Sequence, residues 1–336
     1  MNKPKAVKPG DTLGLVGPSG AIRTDDGLER AIKVLKDFGY NVKVGASAGA
    51  RYGYLSGTDE LRAKDLNDMF MDDEVDAIIC TKGGYGTPRI LDRLDFDAAK
   101  KHPKLFLGYS DITALLLAYG KYADLVTFHG PMPSSCMSNG DFDEYSKAHF
   151  LKAISSTEPL GEMRNCACQK LNCLNAGQVR APMVGGNLSL VEETLGTPYE
   201  VDCRGKILFL EDVGERTYRL DGMLNHLRLA GKFDDCAGIV LGDFTNCTME
   251  YENFSFTLDE ILRDIVLPCG KPVMSGLCAG HGPHKLTLPM GIEYELNATE
   301  CKLTALESAL VSAHVVRFRV APRKKLDVCP AFLFYF

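Results

Sequence analysis

The sequence predicts an α/β protein of two domains, each built around a sheet whose strands alternate with helices. The length of 336 residues is enough for two domains of ordinary size. From Thr12 to Tyr119, short apolar runs alternate with amphipathic segments, which is typical of parallel strands joined by helices. The alternation resumes after residue 180, and the stretch before it is polar and weakly periodic. We therefore expect domains over 1–150 and 181–310, joined by a crossing at 151–180.

The N-terminal elements follow from apolar runs and from helical spacing. Strands are predicted over 11–17, 41–44, 75–80 and 105–107. Helices are predicted over 28–35, 59–70 and 111–119, the second of them with Thr58 as its N-cap. In parallel sheets, ligands bind beyond the carboxyl ends of the strands, so the loops after these strands are candidate site segments.

The C-terminal elements are identified in the same way. Strands are predicted over 206–212, 237–242 and 272–278, and helices over 188–195, 218–229 and 258–265. The two halves share no spaced motif, so we expect no internal repeat.

Composition and charge exclude several classes of function. A formal net charge of -6, with no basic stripe through residue 310, argues against a nucleic-acid surface. The N-terminal segment lacks the apolar h-region of a secretory signal. No apolar run approaches the roughly 20 residues of a membrane span. We expect a cytoplasmic protein with no membrane contact.

Twelve cysteines raise the question of a metal site. Most of them lie in strand-like apolar runs and are expected to pack as small hydrophobes. Cys166, Cys168 and Cys173 are spaced as C-x-C-x4-C and could supply three ligands. Structural zinc usually takes four ligands, and no fourth is close in sequence. We expect reduced thiols in a connecting loop and no bound metal.

Ser110 lies where a buried strand meets a helix. Such a turn exposes the hydroxyl beside the unpaired N–H groups of a helix start, as in a nucleophile elbow. The segment Gly108-Tyr-Ser-Asp lacks the second glycine of G-x-S-x-G. Ser110 or Asp111 as a plain helix N-cap is the alternative, and this stretch alone does not decide between them.

The loop Lys82-Gly-Gly-Tyr-Gly follows another predicted strand. Its glycines allow a ligand to approach the backbone closely and allow N–H groups to point at it. The loop matches neither the Walker A order nor G-x-G-x-x-G, so a plain turn remains the alternative.

Two further polar groups lie at strand ends. His281, between two glycines, is the best candidate base, and Glu211 is a candidate acid to orient it. Asp212 or Glu215 could take the role of Glu211. His129 and His284 are flanked by loop residues and are candidates for substrate contact.

These motifs occur together in an order that resembles the LD-carboxypeptidase family of serine peptidases, which includes muropeptide-recycling enzymes and microcin-immunity peptidases. The ordered motifs are Pro9-Gly-Asp-Thr, Lys82-Gly-Gly-Tyr-Gly with Arg89, Gly108-Tyr-Ser-Asp-Ile-Thr, His129-Gly-Pro, Gly185-Gly-Asn-Leu, Ile207-Leu-Phe-Leu-Glu-Asp and Gly280-His. The resemblance implies a Rossmann/flavodoxin-like N-terminal domain with a parallel sheet, a C-terminal α/β domain, and an active site in the interdomain cleft.

The resemblance also implies residue roles. It implies a catalytic triad of Ser110, Glu211 and His281. It implies an oxyanion hole formed by the N–H groups of Asp111 and of a glycine in the Gly83-Gly84 loop, for which we choose Gly84. Substrate carboxylates are expected to be bound by the remaining polar candidates, which are Lys82, Arg89 and His284.

The expected reaction is release of terminal D-alanine from a murein tetrapeptide by a cytoplasmic homodimer that needs no cofactor. The alternatives are a microcin-immunity-type peptidase cleaving a peptidyl-nucleotide amide, or a catalytically inactive binding module. The microcin branch is expected to use tryptophan stacking, and this chain has no tryptophan. Lys82 and Gly222 stand where the family often has arginine, and the tail 311–336 falls outside the family pattern.

Overall fold

The computed structural model describes residues 1–138, 140, 142–251 and 254–312, which form two sheets with helices packed against them. The strands are β1 (Thr12–Val16), β2 (Asn41–Val44), β3 (Ala77–Cys80), β4 (Leu105–Gly108), β5 (Thr127–His129), β6 (Gly161–Glu162), β7 (Asn172–Asn175), β8 (Gln178–Asn187), β9 (Ile207–Val213), β10 (Gly238–Thr245), β11 (Val273–Ser275), β12 (Leu288–Met290), β13 (Glu293–Asn297) and β14 (Lys302–Ala305). The α-helices are α1 (Gly27–Asp37), α2 (Asp59–Met71), α3 (Phe96–Lys101), α4 (Thr113–Tyr122), α5 (Glu144–Ser155), α6 (Leu188–Glu193), α7 (Thr217–Leu229), α8 (Lys232–Asp235) and α9 (Leu258–Ile261).

The first sheet has the order β12-β5-β4-β3-β1-β2. Its five strands from the N-terminal half are all parallel, and their order 2-1-3-4-5 is that of a flavodoxin-like fold. This confirms the predicted fold class. The sixth strand, β12, comes from the C-terminal half and pairs antiparallel with β5.

The second sheet has the order β6-β14-β13-β8-β9-β10-β11-β7. Its centre, from β8 to β11, is parallel, and antiparallel strands flank it on both sides. β8 joins the parallel centre to the antiparallel strands on one side, because its first half pairs with β13 and its second half pairs with β9. One apolar cluster contains buried residues of both sheets, among them Leu107, Phe128 and Phe209, so the two halves share a core.

The stretch between the two predicted domains holds more regular structure than its weak periodicity suggested. α5 begins at the cap Asp143, whose side chain accepts from Ser146 N, and buries Phe150 and Ile154. β6 and β7 then form the two edges of the second sheet. β6 has two residues and β7 is mostly polar, so neither shows the alternation of apolar and polar residues that predicts a strand. The division at 151–180 stays a prediction.

The remaining predicted helices and strands agree with the structure apart from their ends. Thr58 caps α2 as expected, accepting from Leu61 N at 3.3 Å. The strand expected over 272–278 is shorter, ending at Ser275. No helix in the described ranges has the length and apolar character to cross a membrane. Of the tail at 311–336, only the first two residues are described, and Val311 pairs with the N-terminal segment at Lys5.

Candidate active site

Ser110 lies in a strained turn directly after β4. Its φ of 64° is left-handed, which costs a residue with a side chain about 1–2 kcal/mol. A short 3₁₀ helix, Ser110–Ile112, leads from this turn into α4. No side chain caps either helix, so the N-cap alternative for Ser110 and Asp111 is not what the structure shows. The strain keeps the hydroxyl clear of the helix, as in a nucleophile elbow.

A chain of hydrogen bonds joins the two sheets at this turn. His281 Nε2 lies 3.0 Å from Ser110 Oγ, and His281 Nδ1 lies 2.7 Å from Glu211 Oε2. Glu211 lies on β9, and His281 on the loop that follows β11. Gly280 has a φ of +128°, and a Cβ there would lie 2.6 Å from Glu211 Oε2. Glycine therefore allows the acid to reach the histidine.

Glu211 is fully buried, yet its environment favours the carboxylate. Burial raises the pKa of Glu211, but the neighbouring His129 and His281 outweigh burial and lower this pKa to about 2. His129 Nε2 lies 3.8 Å from Glu211 Oε1, beyond hydrogen-bond distance. His129 is itself 1% exposed, so it lies behind the acid rather than at the substrate surface where it was expected.

The two carboxylates that were alternatives to Glu211, those of Asp212 and Glu215, have other partners. Asp212 accepts from Asn187 Nδ2 and from the N–H and hydroxyl of Ser189, which fixes the start of α6. Glu215 lies 3.6 Å from Arg219 in an ion pair. Glu211 is therefore the carboxylate that contacts His281.

The glycine loop after β3 packs directly on the serine turn. A Cβ on Gly83 would lie 2.8 Å from Ser110 Cβ, 3.0 Å from Ser110 Oγ and 3.4 Å from the N–H nitrogen of Asp111. Gly84, the predicted oxyanion residue, has a φ of +134° and backs onto Gly20. Among the described residues, no hydrogen-bond acceptor is found for the Gly84 N–H. The sequence did not single out Gly83, whose missing side chain leaves space beside the hydroxyl.

Asp111 has a second part in the site through its side chain. The buried carboxylate accepts from Ser19 Oγ and from Thr87 N at 3.0 Å, and Thr87 Oγ1 donates to the Asp111 carbonyl. Burial raises the pKa of Asp111. These bonds tie together the loops after β1, β3 and β4. Neither Ser19 nor Thr87 lies in a motif that sequence reasoning could have used.

A pocket of about 630 Å³ lies beside the glycine loop. Its lining residues are Gly20, Ala21, Ile22, Arg23, Arg51, Gly53, Tyr54, Lys82, Gly84 and Tyr85. The lining contains three cationic side chains and no carboxylate, so it suits an anionic group. Burial, and then the charge of Arg23, lower the pKa of Lys82. Arg23 and Arg51 were missed because they lie in loops without a recognisable spacing.

The structure does not bring Arg89 and His284 into this pocket. The Arg89 guanidinium pairs with Asp59, with Nη2 at 2.9 Å and Nε at 3.2 Å from Asp59 Oδ2. His284 Nδ1 lies 2.7 Å from Asp143 Oδ2, and His284 is not among the residues that line the pocket. Their predicted contact with substrate carboxylates stays a prediction, and Lys82 is the one of the three that lines the pocket.

Comparison with known proteins places this geometry in a family. The model of the LD-carboxypeptidase N-terminal domain matches residues 13–130, and that of the LD-carboxypeptidase C-terminal domain matches residues 180–296. The chain belongs to the LD-carboxypeptidase family. It is a peptidase, and the serine type fits this family.

Individual members of the LD-carboxypeptidase family are similar along most of the chain. A Bacillus subtilis (strain 168) protein named "Probable murein peptide carboxypeptidase" is 40% identical, with 92% of this chain and 95% of the relative covered. The crystal structure of muramoyltetrapeptide carboxypeptidase from Oxalobacter formigenes is 30% identical with a TM-score of 0.77, and covers 87% of this chain and 97% of its own. The structure of the microcin C7 self-immunity protein MccF in its wild-type apo state has a TM-score of 0.85 at 23% identity. The match covers 93% of this chain and 100% of the MccF chain, which shows a common fold.

Proposed function

We propose that this protein is a serine LD-carboxypeptidase that releases terminal D-alanine from murein tetrapeptides. The observation that carries the proposal is the hydrogen-bonded chain from Ser110 through His281 to Glu211, built from both sheets. The names of the Bacillus and Oxalobacter relatives support the substrate class. The arrangement of these residues supports a reaction in two halves.

In the first half of the reaction, Ser110 Oγ attacks the carbonyl carbon of the L-D peptide bond, and His281 Nε2 takes its proton. Glu211 accepts a hydrogen bond from His281 Nδ1 and stabilises the imidazolium that forms. The negative charge on the former carbonyl oxygen is stabilised by the N–H groups of Asp111 and Gly84. The C–N bond breaks, His281 gives its proton to the departing amine, and D-alanine leaves.

In the second half, water attacks the ester that links the substrate to Ser110. His281 Nε2 takes a proton from this water and returns it to Ser110 Oγ as the ester bond breaks. The products are a tripeptide carboxylate and the free serine. The side chain of Glu211 keeps the same hydrogen bond throughout, so no proton is transferred to it.

The cationic pocket gives the enzyme a way to choose its substrate. Lys82, Arg23 and Arg51 line it together with Gly84, the proposed oxyanion residue. A murein tetrapeptide carries several carboxylates, and the terminal one distinguishes a carboxypeptidase substrate from an internal peptide. We assign Lys82 to bind a carboxylate as a point charge, since lysine lacks the planar fork of arginine. Arg23 and Arg51 supplement it.

A homodimer and a cytoplasmic location are part of the same proposal. Murein tetrapeptides taken up for recycling are cleaved inside the cell in the family that this chain resembles. Sedimentation of the purified protein tests the dimer. A single species with the mass of one 36.8 kDa chain would contradict it.

Mass spectrometry of products from a panel of tri-, tetra- and pentapeptide muropeptides tests the substrate. We expect loss of one D-alanine from the tetrapeptide and no cleavage of the tripeptide. A peptidyl-nucleotide amide in the same panel tests the alternative of a microcin-immunity-type peptidase. Cleavage of that amide with an intact tetrapeptide would overturn the proposal. Labelling of Ser110 by a fluorophosphonate distinguishes an active enzyme from a binding module.

A further inference from the structure

A cluster of metal-ligating side chains lies outside the active site. Cys166 and Cys168 lie on one turn, and His284 belongs to the loop after β11. One ligand atom from each lies within 4.8 Å of the other two. In the described residues this is the one group of three such side chains that close together. The sequence had joined Cys166 and Cys168 with Cys173, but Cys173 lies exposed on β7 and the third member is His284.

The spacing of these atoms is close to that of a zinc site. With Zn–S near 2.3 Å and Zn–N near 2.0–2.1 Å, tetrahedral ligand atoms lie about 3.5–3.8 Å apart. The three atoms would therefore need to converge by about 1.3 Å or less. Cys168 is exposed, and Cys166 and His284 are partly exposed, so an ion can enter from solvent.

One ring nitrogen of the histidine already contacts a carboxylate. His284 Nδ1 lies 2.7 Å from Asp143 Oδ2, which leaves Nε2 as the nitrogen available for a metal. Metal-binding histidines almost always donate their other N–H to a carboxylate or carbonyl in this way. Asp143 is held in turn, because it caps α5 through Ser146 N at 3.0 Å.

The cysteine turn is also held in place. Asn165 Nδ2 donates to Gly276 O at 2.7 Å, and Cys278 N donates to Asn165 Oδ1 at 2.9 Å. The buried thiol of Cys278 lies 3.7 Å from Cys166 Sγ. The two segments that supply the ligands are therefore fixed relative to each other by bonds other than a metal.

We propose that Cys166, Cys168 and His284 bind one Zn²⁺ ion, with the fourth position open to solvent. Two thiolates and an imidazole are a soft donor set that suits zinc over magnesium or calcium. His284 lies three residues after His281, so the ion would link the cysteine turn to the loop that carries the catalytic base. This inference stands apart from the proposed bond-making and bond-breaking steps, which use none of the three ligands, and it assigns His284 to a metal in place of the predicted substrate carboxylate.

The test is metal binding by the purified full-length chain under reducing conditions. We expect about one equivalent of zinc by elemental analysis after equilibration with Zn²⁺ and removal of excess. Co²⁺ as a probe should give thiolate-to-cobalt charge-transfer bands and the intense visible bands of a tetrahedral ion. Zn²⁺ should raise the melting temperature of the wild type.

Matched variants identify the ligands. Cys166→Ser, Cys168→Ser and His284→Ala should each abolish the cobalt bands, whereas Cys173→Ser should retain them. His226→Ala is the control for His284, because His226 Nδ1 also contacts a carboxylate, Glu192, at 2.6 Å. Asp143→Asn can still cap α5 and should weaken zinc binding by about 10- to 100-fold.

Two results would overturn the proposal. One is a wild-type chain that retains less than a tenth of an equivalent of zinc. The other is unchanged cobalt bands in a folded Cys166→Ser/Cys168→Ser double variant, with folding checked by circular dichroism. Loss of peptidase activity in the Ser110→Ala variant with zinc binding intact separates this inference from the proposed function.

Discussion

The two halves of the active site are held in place by different physical means. Ser110, at the end of β4, is positioned by backbone geometry: a left-handed φ, and a glycine loop packed against its side chain. His281, on the loop after β11, is positioned by the buried carboxylate of Glu211 on β9, whose pKa is lowered to about 2. We therefore expect the first half to be sensitive to added volume and the second half to be sensitive to a lost charge. Substitutions that change volume or charge separately can test this difference.

The largest effect is expected from Ser110→Ala, which removes the nucleophile and keeps the backbone. We expect kcat to fall by roughly 10⁴- to 10⁶-fold, because the remaining members of such a triad act only through the serine. Tetrapeptide cleavage followed by mass spectrometry measures this, with the melting temperature as a check on folding. Full tetrapeptide cleavage by this variant would remove Ser110 from the mechanism.

Next in size is Glu211→Gln, which keeps the volume of the side chain and removes its charge. We expect kcat to fall by roughly 10³- to 10⁴-fold, since an amide stabilises neither the imidazolium nor the required tautomer. Glu215→Gln is the control, because Glu215 pairs with Arg219 away from His281. Equal losses of kcat in the two variants would show that the contact of Glu211 with His281 has no particular role in catalysis.

The negative charge of Glu211 also makes the stability of the folded protein depend on pH. The folded pKa of Glu211 lies below the ordinary value of 4.5, so the unfolded chain binds its proton first as the pH falls. This stabilisation, of roughly 3 kcal/mol, is complete above pH 4.5 and is lost between pH 4.5 and about 2. Urea unfolding of wild type and Glu211→Gln across this range should show the steeper decline in the wild type. Parallel declines would contradict the buried charge.

Gly83→Ala tests the volume side of the comparison. The added Cβ would lie 3.0 Å from Ser110 Oγ, in the space next to the Asp111 N–H. We expect kcat to fall by roughly 10²- to 10³-fold, as when an oxyanion donor is lost. Gly222→Ala is the matched control, because a Cβ there meets nothing within 4 Å on α7. That variant should keep full activity and gain roughly 0.5–1 kcal/mol of stability.

The smallest effect on catalysis is expected from Lys82→Met, which removes a charge in the substrate pocket. A charged hydrogen bond contributes roughly 1.5–3 kcal/mol, so KM should rise by about 10- to 100-fold with kcat little changed. Arg89→Met is the comparison, since Arg89 pairs with Asp59 outside the pocket lining. An equal rise in KM for Arg89→Met would show that Arg89 also takes part in substrate binding.

The sequence predicted those parts of the fold that show a periodic pattern of apolar residues or a local motif. Thr58 before an amphipathic run, and the turn at Ser110 after a buried run, are local signals, and both elements formed as expected. β12 could not be predicted, because three residues with a central proline carry no alternation. Its pairing with β5 depends on tertiary contacts alone.

The candidate site shows the same limit. Ser110, Glu211 and His281 came from strand-end positions and from a family resemblance, and the structure brings the three together. Arg23 and Arg51 lie in loops, where only the folded chain places them beside Lys82. The choice of Gly84 over Gly83 could not be examined before the contact of Gly83 with Ser110 was known.

β12 also determines how the chain can be divided. The match to the N-terminal family domain ends at residue 130, but the first sheet is completed by β12 at Leu288–Met290. A fragment that stops before β12 leaves β5 as an exposed edge with unpaired backbone groups, which invites aggregation through strand pairing. We therefore expect an N-terminal fragment to stay in solution only when the segment that carries β12 is expressed with it.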